Sequence, residues 1–183
     1  MDDFDKFLDD VANAKATQSG NNFTDGKGRA VVTKIEFENK NGGPTFVLEA
    51  KIERSEKIPV VSMLTDQPLA VEPNAPGTSA SIVVVVSGNE NDKKAKLGNI
   101  KSVVLSLLGF DEAAVTPQQF KDALAKLKSK EQPATGMLFD YETYRKTNKP
   151  RTREYCRVKV VHVPPAAGNS GDEIKARRVT IGG

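Results

Sequence analysis

The chain holds one cysteine, one histidine and no tryptophan among 183 residues. A lone Cys156 excludes an internal disulfide, and a single imidazole leaves a zinc site short of its usual ligands. Cys156 and His162 do not form a nucleophile–base couple either, because their separation along one strand is roughly 20 Å at ~3.3 Å per residue. No apolar run approaches the ~20 residues of a membrane-crossing helix. The opening MDDFDKFLDD is acidic where a secretory leader is basic and then apolar. The phosphate-binding pattern GxxxxGK[ST] is missing, and GNENDKK lacks its glycine spacing. TDGKG starts like a calcium loop, lacks ligands at the later positions and reads as a plain turn. The expectation is a soluble protein of a reducing cytoplasm, without cofactor, metal or catalysis. Scattered carboxylates keep a metal-dependent nuclease as a third-ranked reading.

What the chain does have is charge gathered in places. The total is only +3, yet residues 1–10 set five aspartates against one lysine, so the remainder is distinctly basic. Residues 141–159 carry seven cations against Glu142 and Glu154. The same stretch, beginning YETYRKTNKPRTREY, contains all three tyrosines of the protein. Cations interleaved with exposed aromatic rings suit single-stranded nucleic acid, whose phosphates are closely spaced anions and whose bases present π-faces.

Periodicity orders the elements. RAVVTKIEF places Val31, Thr33, Ile35 and Phe37 at a spacing of two, and TFVLEAKI does the same with Phe46, Leu48, Ala50 and Ile52, leaving Glu49 and Lys51 outside. With NKNGG between them, the two runs predict a hairpin. Residues 53–78, bearing four prolines, predict a long connection with a short extended piece at PVVSML. SIVVVVS is continuously β-branched and predicts a third strand buried on both sides. Leu97, Ile100, Val104, Leu107 and Leu108 form a helical stripe closed by Gly109. A second helix opens at Thr116 with Pro117 and a capping glutamine, Gln119, burying Phe120, Leu124 and Leu127. Two further strands, GMLFDYETYRK and REYCRVKVVHV, flank a proline turn.

The order β-β-β-α-α-β-β predicts a mainly β protein with helices, namely a five-stranded Greek-key barrel of the OB type with a helical insertion between strands 3 and 4. A generic α+β sandwich is the competing fold. The expected division is an acidic arm or helix over 1–20, the barrel over 21–165 and a flexible tail over 166–183. In the last hairpin, Met137, Phe139 and Tyr141 share the core side with Cys156, Val158 and Val160 only if odd-numbered residues of one strand face even-numbered residues of the other. That parity turns Tyr144 and Tyr155 outward together. A register setting Asp140 opposite Lys159 and Glu142 opposite Arg157 adds charge complementarity, and it makes those cations plain surface partners. Proline cannot sit in a two-residue type I′ turn, so a longer, projecting loop is expected at TNKPRT. The candidate nucleic-acid ligands are Tyr144, Lys146, Lys149, Arg151, Arg153, Tyr155, Arg157 and Lys159, joined by Lys34 and Lys51 on the polar face of the first hairpin.

The arrangement from GRAVVTKIEF through LGNIKSVVLSLLGFDE to the basic final hairpin resembles phage-encoded single-stranded DNA-binding proteins with an OB fold, over about residues 25–163. The resemblance rests on layout. It implies a protein that coats single strands during viral replication or recombination, without base specificity or catalysis. RNA is the alternative strand, and self-association is allowed. The chain departs from the common pattern in that DEIKARRVTIGG is slightly basic and the acidic segment lies at the other end. In MDDFDKFLDDVANA, Phe4, Phe7, Leu8 and Val11 follow helical spacing among the aspartates. Two roles are open to this arm: a helix packed on the domain, or an acidic arm over 1–16 that competes with DNA and docks replication or recombination proteins. A module meeting an acidic protein partner through the basic hairpin is the alternative function.

Overall fold

The computed structural model describes residues 6–7, 9–11, 23–40, 43–128, 131, 133–148 and 150–164. Five strands, β1 (Lys27–Lys40), β2 (Gly43–Glu56), β3 (Ser79–Val85), β4 (Leu138–Thr147) and β5 (Glu154–His162), form one antiparallel sheet in the order β3-β2-β1-β4-β5. Helices α1 (Glu90–Leu108) and α2 (Pro117–Leu127) follow β3 and precede β4 in the chain, the order the periodicities predict. The described sheet is open, with β3 and β5 at its edges.

Local sequence accounts for the helices. Asn89 caps α1 by accepting the Asp92 N–H, and Gly109 ends it at φ +69°, donating to the Leu105 and Ser106 carbonyls. Thr116 and Gln119 satisfy each other's backbone in a capping box at the start of α2, with Pro117 at the first position. Phe120, Leu124 and Leu127 of α2 and Ile100, Val104 and Leu107 of α1 are buried in one hydrophobic core with Phe46, Leu48, Ile52, Ile82 and Phe139 of the strands, which are also fully covered.

Three expectations about strands are corrected. In β1, Ala30, Val32, Ile35 and Phe37 are buried while Val31 is half-buried and Thr33 exposed. The register with β2 shifts between Val32 and Lys34, so Thr33 is an extra residue that flips the inward parity partway along the strand. Strand β3 buries Ala80, Ile82 and Val84 and leaves Ser81, Val83 and Val85 half-buried, because it lies at a sheet edge with one face toward the core. The connection after β2 begins at Lys57, since β2 runs on to Glu56. Within that connection, the Val61–Pro68 bridge, Ser62 N–H to the Gln67 carbonyl and Leu69 N–H to the Val60 carbonyl make a small knuckle around the expected extended piece.

The N-terminal residues that are described, Lys6, Phe7 and Asp9 to Val11, are helical. Phe7 and Val11 are buried, Phe7 meets Phe37 edge-on at 5.9 Å, and Asp9 pairs with Lys121 of α2 at 2.6 Å. Phe4, Leu8, Asp2, Asp3, Asp5 and the tail over 166–183 lie outside the described residues. No described helix is long and apolar enough to cross a membrane.

Candidate nucleic-acid interface

Strand β4 outruns β1. The two pair from Lys27–Glu142 to Val31–Leu138, so beyond Glu142 the hairpin of β4 and β5 extends past the start of β1. Its registry has the expected parity, with Tyr141 and Thr143 buried on the inner side beside Val158 and Val160. The particular pairing is two residues away from the charge-matched one. Glu142 faces Lys159, Tyr144 faces Arg157, Lys146 faces Tyr155, and Asp140 faces Val161. The turn decides this. Asn148 donates its N–H to the Arg153 carbonyl, accepts the Thr152 and Arg153 N–H groups on Oδ1, and accepts the Arg151 N–H on its carbonyl. Arg151 sits in the left-handed region at φ 52°. These bonds make Asn148–Arg153 the closing pair, and every pair toward the base follows.

The outer face of the sheet therefore divides along its length. At the base, Asp140 takes its cation from the neighbouring strand: Arg29 grips it with Nε at 2.7 Å and Nη2 at 3.0 Å, and Arg54 lies 3.8 Å away. The Arg29 hydrogen bonds outweigh burial and hold the Asp140 carboxyl below the usual carboxylate range. Lys27 and Arg54 flank Glu56 at 3.6 and 3.8 Å, and Glu142 stands between Lys27 and Lys159 in the register. Toward the tip the acids stop. Lys146, Arg151, Arg153 and Arg157 gather there with Tyr144 and Tyr155, and among the described residues no ion pair joins Lys146, Arg151 or Arg153 to a carboxylate. Tyr155 is 40% exposed, and the Arg157 guanidinium lies 5.5 Å from its ring centroid. Tyr144 is half-buried, and burial pushes its phenol above the usual range.

Arg145, by contrast, points to the inner side. It binds the Asp25 carboxylate through Nε at 2.9 Å and through Nη2, with Glu154 3.7 Å from Nη1. Burial opposes its charge, but the Asp25 hydrogen bonds and the Asp25 and Glu154 charges outweigh that and raise its pKa. Asp25 is the acid of the TDGKG turn and is only 4% exposed. Nothing in the local sequence marks this partnership across 120 positions. Glu154 in turn accepts the Met63 N–H at 2.8 Å and the Ser62 hydroxyl at 3.3 Å, while Arg151 Nη2 donates to the Met63 carbonyl at 2.7 Å. The hairpin tip is thus fastened to the knuckle of the β2–β3 connection, a contact that sequence reading missed, and it does not project alone.

The remaining candidates separate from this cluster. Lys34 is tied to Glu36 at 2.5 Å and has Glu49 opposite it, which raises its pKa and makes its surroundings acidic. Lys51 is exposed on β2 across from Ser79 and Val31, three strands away from β5 in the sheet order. Lys149 lies outside the described residues. His162 is at the other end of β5, with Nδ1 3.3 Å from the Leu107 carbonyl, and burial first, then the Asp25 charge, pushes the Cys156 thiol up to about 11. Among the described residues no three His, Cys, Asp or Glu side chains stand close enough to hold a metal ion.

Comparison with protein-family models, with curated proteins and with solved structures finds no match to this chain.

Proposed function

We propose that the protein binds single-stranded DNA without base specificity, in replication or recombination of the phage type, and that it does so with the distal outer face of the β4–β5 hairpin. The observation carrying this reading is the segregation of that face. Lys146 and Arg157 stand across from Tyr155 and Tyr144 in the register and Arg151 and Arg153 stand at the turn beyond them, while the base of the same face is neutralised by Asp140, Glu142 and Glu56. Phosphates would meet the cations and bases would stack on Tyr155 and Tyr144. RNA offers the same groups and is the alternative strand.

The strand arrangement supports an OB-type barrel as the frame. The order β3-β2-β1-β4-β5 is that of such a sheet laid open, and the last turn of α1 reaches the end of the edge strand β5 through Leu107, Gly109 and His162. The protein acts by binding and not by turnover.

The test is anisotropy of labelled oligo-dT, with and without Mg²⁺. The expected result is salt-sensitive binding that Mg²⁺ does not convert into cleavage. Cleavage dependent on Mg²⁺ would establish a nuclease instead. Binding to an acidic polypeptide with none to oligo-dT would establish the protein-docking module.

A further inference from the structure

Three of four successive residues in the knuckle of the β2–β3 connection hold apolar side chains out in water: Val61 at 52%, Met63 at 39% and Leu64 at 38% exposure. Isolated exposed apolar residues are ordinary, but a run of them on a fixed piece of backbone marks a surface that something covers. This backbone is fixed. Ser62 Oγ accepts the Leu64 and Thr65 N–H groups, the Ser62 carbonyl accepts the Asp66 N–H, and the bridge at Val61 closes the base. Both backbone polar groups of Met63 are taken by the hairpin tip, the N–H by Glu154 and the carbonyl by Arg151. The apolar run therefore adjoins the cationic tip on the side of the hairpin that carries Arg145 and Glu154, with Arg151 bonded directly to it.

We infer that the knuckle is the second wall of the single-strand site, with Met63 and Leu64 packing against unpaired bases whose phosphates are held by the hairpin cations. This rests on the single-strand reading proposed above. The occupant follows from the chemistry of the surface: an apolar ridge bonded to a cationic tip matches a polyanion that carries flat apolar faces. Against the single acid of the knuckle, Asp66, the adjoining tip sets Lys146, Arg151 and Arg153. Glu154 does not alter that balance, because it is largely covered and lies beside Arg145. A second copy of this chain would bring its own cations toward these.

The decisive variant is M63S/L64S, whose positions are open enough for the fold to survive; a melting curve checks this, and Met63→Gln alone serves as the milder change. Affinity is measured for oligo-dT and for an abasic strand of equal length over a range of salt. The expected result is a roughly tenfold loss on oligo-dT, as apolar area on two half-exposed side chains fails to be covered. The salt slope should not change, and the abasic strand should be bound as well as by the unaltered chain. Equal oligo-dT affinity for variant and unaltered protein overturns the second wall while leaving the hairpin site standing. A loss that is as large on the abasic strand also overturns it. If the unaltered chain forms a dimer in sedimentation and the variant does not, the ridge belongs to a second copy and the inference fails. If the unaltered chain ignores oligo-dT altogether, the parent reading falls first.

Discussion

Side chains of one chemical type are put to opposite uses within this hairpin, and each use follows from which face the residue occupies. Arg145 and Arg157 are a dozen positions apart, yet one is sealed against Asp25 and the other lies over the exposed ring of Tyr155. Truncating Tyr155 to alanine should cost about 1–3 kcal/mol of single-strand affinity, with little dependence on base and no change in melting temperature, since the ring is 40% exposed. Tyr144, half-buried, should lose a similar amount of affinity together with some stability. A fall in melting temperature at unchanged affinity for both variants would make the rings structural. Cys156 gives a test by pH. Its thiol is held protonated up to about 11, so at pH 8 the folded chain should react with iodoacetamide about a hundredfold more slowly than the same chain in urea. The associated stability is present below the unfolded thiol's pKa and is lost as pH rises toward 11, because the unfolded chain then gives up its proton more readily.

At the scale of elements, the salt dependence of binding should belong to one hairpin. For single strands log K falls with log salt by about 0.7 per neutralised phosphate, so replacing Lys146, Lys149, Arg151 and Arg153 together should flatten the slope by up to ~2.8 units. Replacing Lys34, already engaged by Glu36, should leave it unchanged. A slope that follows Lys34 and ignores the hairpin would move the site to β1 and β2. The elements themselves were legible in the sequence wherever their cause is local. Thr116, Gln119 and Gly109 state where helices start and stop, and the alternation in β2 and β5 states which face is inward. Causes that depend on a neighbour were not legible. Thr33 is an unremarkable strand residue until its partner strand skips it, and the registry of β4 with β5 is set by the Asn148 side chain and not by matching charges. For the candidate site, the tyrosines and tip cations could be singled out because they are clustered in sequence. Asp25, Ser62 and Met63 were not, because each meets the hairpin across roughly ninety residues or more.

The whole molecule has two unlike ends. One gathers the hairpin tip, the Asp25 turn and the knuckle; at the other, the end of β1 nearest the β1–β2 turn, Phe7 packs on Phe37. Phe37 is ten positions along β1 from Lys27, so the described part of the acidic segment packs at the opposite end of that strand from the Lys27–Glu142 pairing. Phe7→Ala should lower stability by about 3–5 kcal/mol, read in denaturant, without raising low-salt affinity for oligo-dT. Tighter binding at unchanged stability would favour the competing arm over the packed helix. The same division bears on how the protein can be handled. The Asp25–Arg145 pair is enclosed and little touched by ionic strength, whereas the tip cations stand in solvent, where added salt screens them within about 10 Å at 0.1 M. If the proposed single-strand site is the right one, salt should act as a release lever with no counterpart in unfolding. A concentrated brine should strip the strand from the protein and return the chain folded and ready to bind again, so that loading and release can be cycled in one sample.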